Sequence, residues 1–272
     1  MRKMFIYILL LILSSCVKET EWELSGELES VIVVDAIITD EIKRQSVTIS
    51  YPIASLNETP LPINGASVFL SNEDTIYQLI EDSGNSGIYY TDEELIAQID
   101  KNYSLLILFS DNVYSSQAYM VKGTLFPELK YSRNDDDELF HINYVASAFE
   151  TSEPAMWEVI IDWSNVTGYE NSNPDDCIKR LMFYTLTTLD VSEIFAPDVE
   201  SISFPEGSII DQRRYSLSAE HEEYIRTMLL ETDWQGGFFP TENANVSTNM
   251  SDGAIGFFGV CALNSLSLIV SK

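Results

Sequence analysis

Histidine is nearly absent from this chain. His141 and His221 are the only two in 272 residues. A zinc site built on histidines would therefore need carboxylates to complete it. His221-Glu222 opens like the helical zinc motif of metalloproteases, but the fifth position is Ile225. His141 lies on the polar face of an alternating segment, and both histidines read as ordinary surface residues. Basic residues are scarce as well, 15 against 43 acidic ones, for a net charge of −28. Such a surface repels nucleic acid and the phosphates of a membrane face. No G-x-S-x-G, P-loop or dinucleotide fingerprint occurs; Gly253, Gly256 and Gly259 are spaced by three inside an apolar, strand-like run. With so many acids, no particular carboxylate pair stands out as catalytic. Nothing in this inventory points to an enzyme.

Long apolar runs are also lacking. The longest near the start, Phe5 to Leu13, would span roughly 14 Å as a helix, about half a hydrocarbon core. Arg2 and Lys3 precede it and small residues follow, the pattern of a secretory signal peptide over residues 1–15. Leu13-Ser14-Ser15-Cys16 resembles the lipobox of bacterial lipoproteins. The resemblance implies cleavage before Cys16 and acylation of that residue. Two or three acyl chains hold a membrane far more firmly than one. Residues 16–28 are acidic and aperiodic, and read as a tether. Lipidation of Cys16 leaves Cys177 and Cys261. In an oxidising compartment these two either pair or remain separate, unreactive thiols, and the sequence leaves both open.

The remainder is dominated by short β-type segments separated by turns. Val31 to Asp40 is rich in β-branched residues. Gln45 to Tyr51 alternates, with Val47, Ile49 and Tyr51 on one face. Further strands are predicted at 66–70, 75–80, 87–90, 103–109, 113–121, 139–146, 156–163, 178–189, 253–260 and 263–270. One segment reads as an amphipathic helix, 218–232, with Ser218 as cap and acids in its first turns. The expected fold is mainly all-β, with two β-sandwich-like domains: an immunoglobulin- or transthyretin-like one at 29–123, and a β-rich one at 124–272 carrying the helix.

Two stretches are candidates for ligands. Asn134-Asp135-Asp136-Asp137-Glu138 is the densest acidic run, and calcium takes oxygen ligands. The spaced acids and glycine of an EF-hand are missing, so a solvated loop is the simpler reading and no metal or cofactor is assigned. Trp234-Gln235-Gly236-Gly237-Phe238-Phe239 sets large apolar groups beside two glycines. If exposed, Trp234, Phe238 and Phe239 would be contact residues for a ligand or partner; otherwise they plug the end of a sandwich.

Taken in order, the leader, the strand VVDAIITD, then NGASVFL, GIYY, YSLLILF, the helix EHEEYIRTML and the ending NMSDGAIGFFG resemble the Bacteroidota lipoprotein family called domain of unknown function 4249. The resemblance implies a lipid-anchored outer-membrane protein acting as accessory to a TonB-dependent receptor in nutrient capture. It supplies no catalytic residues. It leaves the periplasmic and outer faces of the membrane both open. The other functional expectation is a surface adhesin or structural module that binds glycans or host matrix.

Overall fold

A computed structural model describes residues 31–53, 58–124, 129–144, 153–169, 172–187, 202–232 and 245–272. The leader, Cys16, the tether, Trp234, Phe238 and Phe239 lie outside these residues. The protein is mostly β with one α-helix among the described residues.

The alternation of the first half dictates its sheet. Strands β1 (Ile32–Thr39), β2 (Ser46–Ser50), β3 (Ser67–Ser71), β4 (Ile76–Glu81), β5 (Ile88–Thr91), β6 (Asn102–Phe109) and β7 (Asn112–Tyr119) each turn every second side chain inward. Val34, Ile38, Val47, Ile49, Val68, Leu70, Leu105 and Ile107 form its core. Each such side chain, fully buried, contributes about 1.5–3 kcal/mol. Between β7 and the C-terminus come β8 (Lys130–Arg133), β9 (Phe140–Tyr144), β10 (Ala155–Asp162), β11 (Ile178–Thr185), β12 (Ile209–Ser216), helix α1 (Ala219–Glu231), β13 (Ala254–Cys261) and β14 (Leu263–Ile269).

The eight-stranded sheet runs β13-β1-β2-β5-β4-β3-β6-β7. This corrects the expected division at residue 124, because β13 leaves the C-terminal half and pairs in parallel with β1, from Ile32↔Ala254 to Thr39↔Cys261. A parallel neighbour requires a long crossover, and here most of the chain supplies it. The sheet curls until its two ends nearly meet. Ser116 bridges Met250. Ser115 and Ser251 exchange hydrogen bonds, with Ser115 N–H donating to the Ser251 hydroxyl and Ser251 N–H to the Ser115 carbonyl, each 2.9 Å. The Asn249 side chain behaves like one more strand residue: it accepts from Phe258 N–H at 3.0 Å and donates to the Phe258 carbonyl at 2.8 Å.

The glycines of the C-terminal run are explained by close approach. Gly256 has φ +94°, and a Cβ there would sit 2.1 Å from the Val34 carbonyl oxygen. A Cβ on Gly259 would lie 2.7 Å from the His221 ring.

The second sheet runs β11-β10-β12-β14, all antiparallel. Its inner face carries Trp157, Val159, Ile161 and Ile210, which pack with Leu129 and Phe140 of the β8–β9 region as a small sandwich. Helix α1 wedges between the sheets. Ile225, Leu229 and Leu230 pack against Met156, Tyr215 and Cys261. The Ser218 hydroxyl accepts from His221 N–H at 3.3 Å, capping the helix.

Candidate functional site

The two sheets join where the chain leaves β7. Val121 bridges Cys261 in parallel, and the Ser216 hydroxyl donates to the Val121 carbonyl while accepting from Ala262 N–H. A chain of charges spans the same join. Lys43 and Arg213 both contact Glu41, at 2.7 and 2.6 Å. Arg213 and Arg180 both reach Glu158, at 3.7 and 3.1 Å. The Tyr215 hydroxyl donates to Glu158 at 3.2 Å. Burial acts to raise the Glu41 carboxyl, but the Lys43 hydrogen bond and the Lys43 and Arg213 charges outweigh it, so its pKa lies below the ordinary value. Burial first, and then the Glu158 charge, push the Tyr215 phenol upward. These pairs tie the loop after β1 to the face of the second sheet.

Beside the join lies a crevice of about 220 Å³ lined by Val121, Lys122, Glu153, Pro154, Arg214 and Leu217. Arg214 enters it from the inward face of β12, directly opposite Trp157 of β10. The sequence reading did not find this residue. β12 carries Ile210, Gln212, Arg214 and Ser216 on one face and Asp211 and Arg213 on the other, so polar groups stand on both sides and the period-2 apolar signal vanishes. The remaining clue is positional: two isoleucines follow the turn at Gly207, which has φ +88°. Two shallower depressions occur elsewhere, one beside Trp163 and Tyr169 and one lined by serines at the sheet seam.

The histidines are not brought together. His141 Nδ1 lies 2.6 Å from the Asn134 side-chain oxygen. His221 is no surface residue: it is 3% exposed, stacks on Phe257 with ring centroids 4.6 Å apart, and places Nδ1 3.6 Å from Cys261 Sγ. Burial lowers its pKa to about 4. The room for its ring comes from Gly259, which periodicity along the helix does not reveal.

Cys177 and Cys261 are both buried and free. Cys177 belongs to the core of the second sandwich and Cys261 to the helix cluster, so the pairing weighed from sequence gives way to two separate thiols. Burial raises the Cys261 thiol, and the Asp40 charge adds to this; such a thiol is a poor nucleophile. In the acidic run, Asp137 turns back on the Asn134 amide at 2.9 Å and on Leu139 N–H at 2.8 Å. That is turn capping. Among the described residues no three histidine, cysteine or carboxylate side chains converge as metal ligands.

A curled eight-stranded sheet, a smaller sandwich fused to it through β13 and β14, and one wedged helix define an all-β protein of two intergrown parts. The chain belongs to the family described as domain of unknown function (DUF4249), which it matches over residues 17–267. No curated protein matches it.

Proposed function

We propose that the protein is a lipid-anchored, non-enzymatic lipoprotein of a Bacteroidota outer membrane that assists a TonB-dependent transporter in capturing a nutrient. The observation that carries this reading is Leu13-Ser14-Ser15-Cys16 at the end of a short basic-apolar leader. Strand β1 begins at Ile32, so the fifteen residues from Val17 to Val31 allow a reach of at most about 50 Å when extended. A body held that close suits a partner in the same membrane. No helix among the described residues is long and apolar enough to cross a membrane. In this reading the acyl chains on Cys16 are the anchor. Leu106, Leu108 and Val113 stand exposed on the outward face of β6 and β7, with Leu108 directly opposite Val113. They offer an apolar contact for such a partner.

Affinity purification of the tagged, lipidated protein in mild detergent tests the reading. A TonB-dependent barrel in near-equal amount supports it, and Val113→Asp together with Leu108→Asp should reduce that barrel several-fold. Cys16→Ala should release the protein from membranes; retention would overturn the anchor. Recovery without a barrel would favour the adhesin alternative, to be followed by binding assays on glycans and host matrix.

A further inference from the structure

The loop that follows β10 builds a depression at the end of the smaller sandwich. Trp163 N–H donates to the Cys177 carbonyl at 3.0 Å. Three further bonds wind the chain onward, Val166 N–H to the Trp163 carbonyl, Tyr169 N–H to that of Val166 and Ser172 N–H to that of Tyr169, each at 2.9 or 3.0 Å. Asn173 then caps a single 3-10 turn, Pro174–Asp176, its side-chain oxygen accepting from Asp175 N–H at 3.4 Å. These turns and Ser203 on the facing segment border a volume of about 420 Å³, within the range of small-molecule sites, about 300–1,000 Å³. Trp163 is 8% exposed, yet its indole N–H has no partner among the described residues. A buried indole N–H usually has one. Solvent reaches this one, in contrast to the sealed donors of Gln212 and Arg214. Tyr169, Asn173 and Asp176 line the same space, and the phenol, the amide nitrogen and the carboxylate have no partner among the described residues. Tyr169 is half-buried, and Asn173 and Asp176 are exposed, so all three are open to a ligand.

We propose that this depression binds one pyranose ring of a neutral sugar, with the apolar C–H face on the Tyr169 ring and the hydroxyls on Trp163, Asn173 and Asp176. The chemistry of the lining selects this class. No lysine, arginine or histidine lines the depression, and Asp176 does, so an anion is repelled on a chain of net charge −28. A simple ammonium donates and cannot accept, and would leave the Trp163 and Asn173 donors unanswered. An apolar ligand would strand every polar group of the lining. A sugar hydroxyl both donates and accepts. It meets the Trp163 and Asn173 donors with its lone pairs and the Asp176 carboxylate with its proton. As the class of nutrient captured, the sugar rests on the function proposed above. Its binding requires neither anchor nor barrel, so the two readings fail separately.

Calorimetric titration of the full-length lipoprotein tests this, in a polyoxyethylene detergent that carries no sugar headgroup. The probes are the methyl pyranosides of glucose, galactose and mannose, with glucuronate and tetramethylammonium as charged counterparts. At least one methyl pyranoside should bind saturably and change the tryptophan fluorescence. Glucuronate should bind roughly threefold or more weakly than methyl glucoside, because Asp176 repels its carboxylate. Asp176→Ala should weaken the best pyranoside roughly tenfold or more. Trp163→Phe keeps the apolar body and removes the N–H; it should weaken binding roughly fivefold and abolish the fluorescence change. The proposal is overturned if none of the three methyl pyranosides binds saturably, if either charged probe binds as tightly as the best of them, or if the affinity is unchanged in either folded variant. Should Trp163→Phe fail to fold, the exposed Asp176 decides alone. Co-purification of a barrel without sugar binding would overturn this inference and leave the proposed function standing; sugar binding without a barrel would do the reverse.

Discussion

The eight-stranded and four-stranded sheets treat their inward faces in opposite ways. The first turns Val34, Ile38, Val47, Ile49, Val68 and Leu105 inward, and the polar side chains it buries, such as Gln45 and Thr91, are hydrogen-bonded. The second places Gln212 and Arg214 among its inward residues, and carries Glu158 with Arg180 and Arg213 on its other face. An apolar interior is stable because nothing in it needs a partner. A polar one is costly wherever a donor goes unmatched, but it can recognise a ligand. The comparison separates two ways of building a sheet: the curled one rests mainly on apolar burial, and the smaller one keeps charged and polar groups on both faces beside the join.

The largest expected break in this comparison is at the seam of the curled sheet. Gly256→Val would force a β-branched residue into a positive φ and against the Val34 carbonyl. Backbone strain and overpacking together should destabilise the protein by about 4 kcal/mol, measured by urea unfolding. His221 comes next. Its pKa in the folded protein is about 4 because it is buried, below the ordinary value near 6.5. The unfolded chain therefore takes up the proton first. This contribution to stability is complete above about pH 6.5 and is lost as pH falls toward 4. It amounts to about 3 kcal/mol, and His221→Gln should remove that part of the pH dependence in unfolding curves taken between pH 4 and 7.

Glu158→Ala sharpens the comparison from the other side. It leaves Arg213 and the Tyr215 hydroxyl without their shared carboxylate, and should cost about 2 kcal/mol. If the charge chain is what couples the two parts, calorimetry should then resolve the second sheet melting before the first; a single sharp transition would sink that coupling. The smallest effect belongs to the tether. Deleting residues 17–28 should change stability by less than about 0.5 kcal/mol, and a clear fall in melting temperature would show that it packs on the body.

Much of the architecture is legible along the chain because it follows from local periodicity. The alternation of Val47 and Ile49 reappears as buried positions of β2, and Ser218 caps α1. The candidate site is not legible in this way. β12 carries too many polar residues to register as a strand, so Arg214 stays hidden until β10 and β14 flank it. His221 reads as a surface residue until Gly259 opens a slot for its ring. The run from Gly253 to Val260 is recognisable as a strand, but its sheet is not, since β1 lies more than two hundred residues away.

By itself, then, the sequence determined the mainly β character, the capped helix at Ala219–Glu231 and the apolar faces of the first sheet, because period, capping and β-branching act over a few residues. Only the tertiary structure decided that the C-terminal strand closes the N-terminal sheet, that the two cysteines rest in separate cores, and that Arg214 is buried against Trp157 with two of its donors unmatched among the described residues. Those outcomes depend on contacts between distant segments. Their energies come from close packing and desolvation, which no local window of residues contains.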